Sequence, residues 1–286
     1  MNATIASRFK LASRASGITS EQSRRVAARA TQEVLLHRGK EWGMWGGCGF
    51  PKSGTVWLCQ LMGAYLKVPV PKTYMLPIAM PSVIHGHWRY DSRFPRTGYI
   101  YRDGRDVAVS LYFFYTRAIA TQRNPRRAKQ LSEQFTSMFG KNYDPNNIYE
   151  NLPTFIDVEM RSPRATRHMP WHEHVESWWD KPRVGYVSYE ELLADTPATL
   201  SKLMTSLTGE EADAERAAIV SSLFEFKRAS GRNDGAEDRS SFLRKGVAGD
   251  WRNHFSVEAG EAFADVTGDA LISLGYESNR NWWRDL

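Results

Sequence analysis

The stretch from Trp45 to Val68 constrains this chain more than any other. An apolar, glycine-rich run, Trp45 to Phe50, stops at Pro51-Lys52-Ser53-Gly54. Beyond it, apolar residues recur at Val56, Trp57, Leu61, Ala64, Tyr65 and Val68, the spacing of a helix with one buried face. A strand, a tight turn and an amphipathic helix are predicted. A turn at a helix N-terminus presents unpaired backbone N–H groups beside the positive end of the dipole, which makes it a cradle for phosphate or sulfate. Ser53, Thr55 and the glycines let backbone and hydroxyls approach such an anion, and Lys52 adds a mobile positive charge. The rival reading is the P-loop of a nucleotide kinase or NTPase, GxxxxGK[ST]. Against it, Pro51 stands where the glycine before the lysine should be. Proline donates no N–H and fixes φ, so it spoils a nest that needs that amide.

Two further stretches point to the same chemistry. Tyr101-Arg102-Asp103-Gly104-Arg105-Asp106 follows a predicted strand, Gly98 to Tyr101, and opens a helix of roughly 15 residues. Asp103 and Asp106 suit its first turn, where acidic groups cap unpaired amides. Arg102 falls at the carboxyl end of the strand, where open α/β sheets bind ligands. Ser110 lies two turns on, on the Asp103 face, so Arg102 and Ser110 can meet one anion from two sides. Arg105 is expected to pair with its own helix's Asp. The third stretch, Arg244-Lys245-Gly246, sets two cations and a bare amide side by side as a phosphate clamp. Gly249-Asp250-Trp251 follows directly.

In that order, from about residue 45 to about residue 262, the three stretches resemble the 5′-phosphosulfate loop, the 3′-phosphate site and the RKGxxGDW segment of the soluble sulfotransferases that use 3′-phosphoadenylyl sulfate (PAPS). His174-Val175-Glu176-Ser177-Trp178-Trp179, followed by a predicted strand Val184 to Tyr189 and by Glu190, resembles the family's HVxxWW…YE segment. The resemblance implies one α/β domain with a central, mainly parallel sheet flanked by helices and a P-loop-like phosphosulfate turn. It implies transfer of a sulfuryl group from PAPS to a hydroxyl or amine of a small acceptor, with 3′-phosphoadenosine 5′-phosphate (PAP) as product and no metal ion. The donor-binding set it implies is Lys52, Ser53, Gly54, Thr55, Val56 and Trp57 at the 5′ end, and Arg102, Ser110, Arg244, Lys245 and Gly246 at the 3′ end. Tyr189, with Trp57 and Phe226, falls at adenine-contacting positions. Val56 stands where the family usually has a second Thr, so one hydroxyl is missing. The alternatives are a catalytically inactive PAPS- or nucleotide-binding module and, behind it, the kinase.

Sulfuryl transfer to an alcohol needs a proton removed, and imidazole is the side chain whose ordinary pKa suits that near neutrality. Ser82-Val83-Ile84-His85-Gly86-His87-Trp88 turns abruptly from apolar to polar, which suits the end of a strand facing the donor. The family's segment reads roughly Lys-Thr-His, so His87 is the expected base, with His85, in the place of the Lys, as the reserve. The catalytic set is then His87, Lys52 and Ser110. Candidates for the acceptor pocket are His85, Trp88, Tyr90 and Phe114, with Phe113 and Tyr115 nearby. Trp178 and Trp179 are expected in the core.

Composition sets the outer bounds. Residues 1–40 hold eight Lys or Arg against two acids, and the remainder of the chain balances at thirty against thirty. The basic character therefore belongs to an N-terminal helical extension, residues 1–40, ahead of a catalytic domain, 41–286. The body has no basic stripe with interleaved aromatics, so nucleic acid is not an expected partner. The extension could pack on the body or touch a membrane surface. No apolar run is long enough to span a membrane, unlike the anchored Golgi carbohydrate sulfotransferases. The two cysteines, Cys48 and Cys59, read as buried thiols of a cytoplasmic protein. Residues 120–170, with Asn124-Pro125 and Asn142 to Asn147, read as loops and short helices, and 232–241 as a polar loop over the donor. Arg252 to Glu261 resembles the family's dimerisation segment, KxxxTVxxxE, and implies a weak homodimer.

Overall fold

The computed structural model describes residues 21–72, 80–163, 169–233, 235–241 and 243–286. Residues 1–20 of the basic extension, 164–168, and Asp234 of the polar loop lie outside the described residues. Four strands, β1 (Trp45–Cys48), β2 (Val83–Gly86), β3 (Thr97–Tyr101) and β4 (Val184–Ser188), form one sheet in the order β2-β1-β3-β4. Every pairing is parallel, with Gly47 opposite both His85 and Gly98, and Ile100 opposite Val187. Parallel strands need crossover connections, which place helices on the faces and bury both sides of the sheet.

Alternation along the strands sorts the core. Val83, Ile100 and Val187 point to one face, where they pack with Leu58, Cys59 and Met62 of helix α2 (Thr55–Leu66). Their neighbours Ile84 and Tyr99 point to the other, with Cys48, Trp178 and two leucines, Leu35 and Leu36, of helix α1 (Glu21–Arg38). Period-two side-chain direction is the cause. Helix α1 is docked along one face, with Ala27, Thr31, Leu35 and Leu36 buried, while Val26 is exposed.

A third cluster lies beyond the strands' carboxyl ends. Helix α3 (Gly104–Thr121) contributes Val107, Leu111, Tyr112 and Tyr115 to it. Helix α4 (Pro125–Phe139) adds Leu131 and Phe135, and α5 (Ile148–Phe155), running into a wider turn at Ile156–Met160, adds Leu152 and Phe155. Here the sequence expectation of loops and short helices needs correcting, because α4 runs fifteen residues. Asn124-Pro125 is a helix start, not a turn. The Asn124 side chain accepts from the Arg127 amide and Pro125 takes the first helical position, where its missing N–H costs nothing.

The remaining helices close the layers. They are α6 (Trp171–Trp178), α7 (Tyr189–Ala194), α8 (Thr196–Thr208), α9 (Ala214–Leu223), α10 (Phe226–Ser230), α11 (Val257–Thr267) and α12 (Ala270–Ser273). Trp178 is fully buried, as expected, but Trp179 is 39% exposed and meets Tyr101 edge-on. No helix among the described residues is long and apolar enough to cross a membrane.

Candidate functional site

The chain leaves β1 for β2 on one side and β3 for β4 on the other. The carboxyl ends of β1 and β3 are therefore where the strand order reverses, and open parallel sheets bind ligands in that crevice. Phe50 to Gly54 follows β1, and Arg102 and Asp103 follow β3. Two stretches about fifty residues apart meet there, the Arg102 guanidinium donating to the Lys52 carbonyl at 3.2 Å.

The loop after β1 is wound tightly. The Ser53 amide donates to the Phe50 carbonyl at 3.1 Å, and Lys52 and Gly54 hold φ of 75° and 96°. A left-handed lysine is unfavourable and is kept only where the surroundings over-determine it. At Gly54 a Cβ would also meet the Tyr189 ring at 2.9 Å. Two hydroxyls of this turn, Ser53 Oγ and Thr55 Oγ1, are buried without a hydrogen-bond partner. Buried polar groups are ordinarily satisfied, and each exception costs about 1–3 kcal/mol. Over the loop stands Lys52, its Nζ 4.8 Å from the centre of the Phe114 ring. Burial, then the neighbouring charges of Arg102, Arg117 and Arg244, pull its ammonium down to about 7.

Arg102 is buried, lies 4.2 Å above the Tyr189 ring, and donates to the Val247 carbonyl at 3.0 Å. Its Nε is also buried and unpartnered. Asp106 joins the second stretch to the third. Its two oxygens accept the Gly249 and Trp251 amides at 2.8 and 2.9 Å, with the Arg102 guanidinium at 3.4 Å. The sequence reading saw Asp106 only as a first-turn cap; Asp103 holds that position, accepting the Arg105 amide at 2.9 Å. Arg105 pairs with Asp103, as expected, and also with Glu277, its guanidinium 3.8 Å over Trp251. Ser110 is half-buried on α3, one turn beyond Asp106.

In the third stretch, Arg244 pairs with Glu237 and Asp250, and Lys245 pairs with Asp250. Burial alone would raise the pKa of Asp250, but bonds from His254, Lys245, Arg244 and Asn253 hold its carboxyl far below the usual range. Gly246 has φ of 69°, and a Cβ there would run into the Phe226 ring at 2.4 Å. Aromatic contacts border the same crevice, with Trp57 edge-on to Tyr189 at 5.9 Å.

His87 lies just past β2, its Nδ1 2.6 Å from the Gly49 carbonyl. A carbonyl only accepts, so Nδ1 carries the proton and Nε2 of the neutral ring is the basic nitrogen. His85 stands edge-on to it at 4.8 Å. Burial lowers His85 to about 4, and its Nε2 has no partner. Of the acceptor-pocket candidates, Phe114 lies against Lys52. Trp88 stacks on Phe94 at 5.3 Å, and its carbonyl accepts from Trp178 Nε1 at 2.6 Å. Tyr90 meets Trp178 edge-on at 5.3 Å. Val56 is exposed.

Arg232 was read only as part of the polar loop. It donates to the carbonyls of Ala236, Leu243 and Arg244, and so staples the loop that carries the third stretch. No local sequence signal marks such a role.

This arrangement, convergent cations and unsatisfied hydroxyls at a sheet switch point, is one that suits an anion in an α/β protein. The family follows from comparison: a family model for the sulfotransferase domain matches residues 95–275, more than half of the chain, and the chain belongs to that family. Among curated relatives, human sulfotransferase 1E1 is 28% identical over 206 residues, covering 68% of this chain and 59% of the relative. The 3-beta-hydroxysteroid sulfotransferase of Cavia porcellus is 28% identical over 254 residues, covering 82% of this chain and 85% of the relative. The chain thus spans less than two thirds of the former's length and most of the latter's. Among solved structures, mouse sulfotransferase SULT7A1 complexed with PAP superposes with a TM-score of 0.56 at 19% identity, covering 85% of this chain and 91% of that one. Retinol dehydratase in complex with androsterone and inactive cofactor PAP gives 0.54 at 16%, with 85% of each chain covered. These two similarities speak for the fold.

Proposed function

We propose that the protein moves a sulfuryl group from PAPS to a hydroxyl or amine of a small-molecule acceptor, with PAP as the product. The observation that carries this reading is the turn after β1. Ser53 and Thr55 bury hydroxyls without partners in the same turn as Lys52, whose charge is itself costly there. A sulfuryl oxyanion at that turn satisfies all three at once. Solved relatives of the same fold are complexes with PAP, and membership of the sulfotransferase family narrows the anion to a phosphosulfate.

Lys52, Ser53, Thr55 and the amides of Gly54, Val56 and Trp57 would hold the 5′ end. Arg102, Ser110, Arg244, Lys245 and the Gly246 amide would hold the 3′-phosphate, and Trp57, Tyr189 and Phe226 would border the adenine. Bound there, the donor supplies an activated sulfuryl group whose bridging S–O bond breaks as the acceptor's O–S bond forms. His87 Nε2 takes the acceptor's proton, its ring oriented by the Gly49 carbonyl. Lys52 answers the negative charge that grows on the departing phosphate oxygen, an electrostatic contribution that exists mainly in the transition state. The experiment that tests this is turnover of PAPS with a panel of phenols, alcohols and amines, read by mass spectrometry. Binding of PAP without transfer to any acceptor would leave a binding module. Magnesium-dependent ATP hydrolysis would revive the kinase.

A further inference from the structure

Arg102, the buried cation that would meet the 3′-phosphate, stands in the chain between Tyr101 and Asp103. Whatever fixes those two neighbours also aims its guanidinium. Both are held by two consecutive residues from the far end of the sequence, Tyr276 and Glu277. The amides of this pair donate to the Leu271 carbonyl at 2.9 and 3.3 Å, and Leu271 is buried in the third cluster. The pair is thus anchored to the packed core, just past α12.

Tyr276 reaches both neighbours of Arg102. Its ring meets Tyr101, the last residue of β3, edge-on at 6.4 Å. Its hydroxyl donates to one oxygen of Glu190 at 2.8 Å, and the other oxygen of Glu190 accepts the Asp103 amide at 3.2 Å. Glu277 acts on the Asp103 side chain. It pairs with Arg105, whose Nε and Nη2 donate to the two Asp103 oxygens at 3.0 and 2.8 Å. The Arg105 guanidinium is also held between two indoles, 3.8 Å from the centre of Trp251 and 4.5 Å from that of Trp282. Asp103 is therefore gripped at its amide through Glu190 and at its carboxylate through Arg105. Both lines lead back to Tyr276 and Glu277.

Resting on the sulfuryl-transfer reading, we infer that Tyr276 and Glu277 are positioning residues for the 3′-phosphate, which fix Tyr101 and Asp103 and so aim the Arg102 guanidinium. Arg105 is 1% exposed and Asp103 6%, and in so buried an ion pair desolvation offsets much of the attraction. What the pair contributes is direction. Binding groups need a supporting shell that holds them within about 0.5 Å of their working geometry, and the C-terminal segment supplies it here. Neither Tyr276 nor Glu277 binds the anion or takes part in the bond exchange.

PAP and adenosine 5′-phosphate differ only in the 3′-phosphate, so their dissociation constants, read by calorimetry, isolate its site. Glu277→Gln should weaken PAP by about 5–20-fold and Tyr276→Phe by about 2–5-fold, fractions of a directly lost charged contact. Adenosine 5′-phosphate should stay within about twofold for both. The KM for PAPS should rise in step while kcat changes by less than about twofold, and Glu277→Asp, which keeps the charge, should recover part of the loss. In an Arg102→Ala background there is no guanidinium to aim, so adding Glu277→Gln should change PAP affinity by less than about twofold. Equal weakening of both nucleotides overturns the inference, because the segment then supports the fold at large. So does a full further loss in the Arg102→Ala background, or unchanged PAP affinity in both Glu277→Gln and Tyr276→Phe. Those results leave the sulfuryl-transfer reading standing, whereas a wild-type protein that does not bind PAP removes that reading and the inference with it.

Discussion

The two ends of the proposed donor crevice are built in opposite ways. At the turn after β1, the chain leaves buried hydroxyls of Ser53 and Thr55 without partners and holds Lys52 in a left-handed conformation. At the third stretch, the chain supplies the counter-charges itself, with Asp250 and Glu237 on Arg244 and Asp250 on Lys245. The first region is a set of unsatisfied donors shaped in advance; the second is a set of ion pairs that a phosphate would have to enter or exchange. Preorganised groups cost no rearrangement when charge develops. The 5′ end should therefore govern rate, and the 3′ end should govern affinity.

The largest expected effects lie at the reacting end. His87→Ala should lower kcat by about 10²–10⁴, the usual contribution of a positioned general base, with PAP affinity nearly intact. Lys52→Ala should lower kcat by about 10²–10³ and weaken PAP much less. Steady-state kinetics beside calorimetry checks both. Parallel losses in kcat and PAP affinity would place Lys52 among the affinity groups and erase the contrast between the two ends. A larger loss for His85→Ala than for His87→Ala would move the base.

The complementary test is Arg244→Ala. It should weaken PAP by about 10–100-fold, the range of a lost hydrogen bond to a charged group. It should spare adenosine 5′-phosphosulfate, which lacks the 3′-phosphate. If both analogues suffer alike, Arg244 is not a 3′ group and the division of the crevice is wrong.

How much of this was legible in the sequence follows the same division. The turn after β1 was legible because its parts are contiguous: strand, Pro51 to Gly54 and helix fall within about twenty-five residues, and helix period and turn chemistry are local signals. Strand segments followed from similar local patterns, with errors of one or two residues at their ends, whereas the parallel sheet came only from the family resemblance. The third stretch was legible as a clamp but not as a self-neutralised one. Asp250 sits in the GDW run without announcing that it would collect Arg244, Lys245 and Asn253. Asp106 was mistaken for a cap because a first-turn aspartate usually is one, whereas its partners, the amides of Gly249 and Trp251, lie more than 140 residues away. Helix α4 was missed because Asn-Pro reads as a turn until the residues after it are known to be buried. Trp88 and Tyr90 could not be divided between core and pocket, since an aromatic pattern is the same in both.

Asp250→Asn sharpens the comparison further. Without the carboxylate, Arg244 and Lys245 face one another as like charges over a buried amide. Unfolding stability of the free protein should decline by about 1.5–3 kcal/mol, and PAP, supplying the missing negative charge, should recover it. The stabilisation by a fixed PAP concentration, read from denaturant unfolding, should thus be larger in the variant than in the wild type. Equal stabilisation would mean that Asp250 only positions the loop.

The smallest effect is a proton. The folded state holds Lys52 at about 7, through burial and then through Arg102, Arg117 and Arg244, against about 10.4 for an unperturbed lysine. Between these values the unfolded chain binds more protons than the folded one, so stability attributable to Lys52 rises with pH across that window. An anion at the turn after β1 reverses the balance by favouring the charged form. PAP binding at pH 8 should therefore take up as much as about one proton, and little at pH 6, where Lys52 is already charged. Calorimetry in buffers of different ionisation enthalpy reads this directly, and Lys52→Met should abolish the uptake. The phosphates of PAP do not supply the signal, because a phosphate's second pKa near 6 leaves them ionised at pH 8. Uptake that persists in Lys52→Met would assign the proton to another group and remove the picture of a lysine held in readiness for its anion.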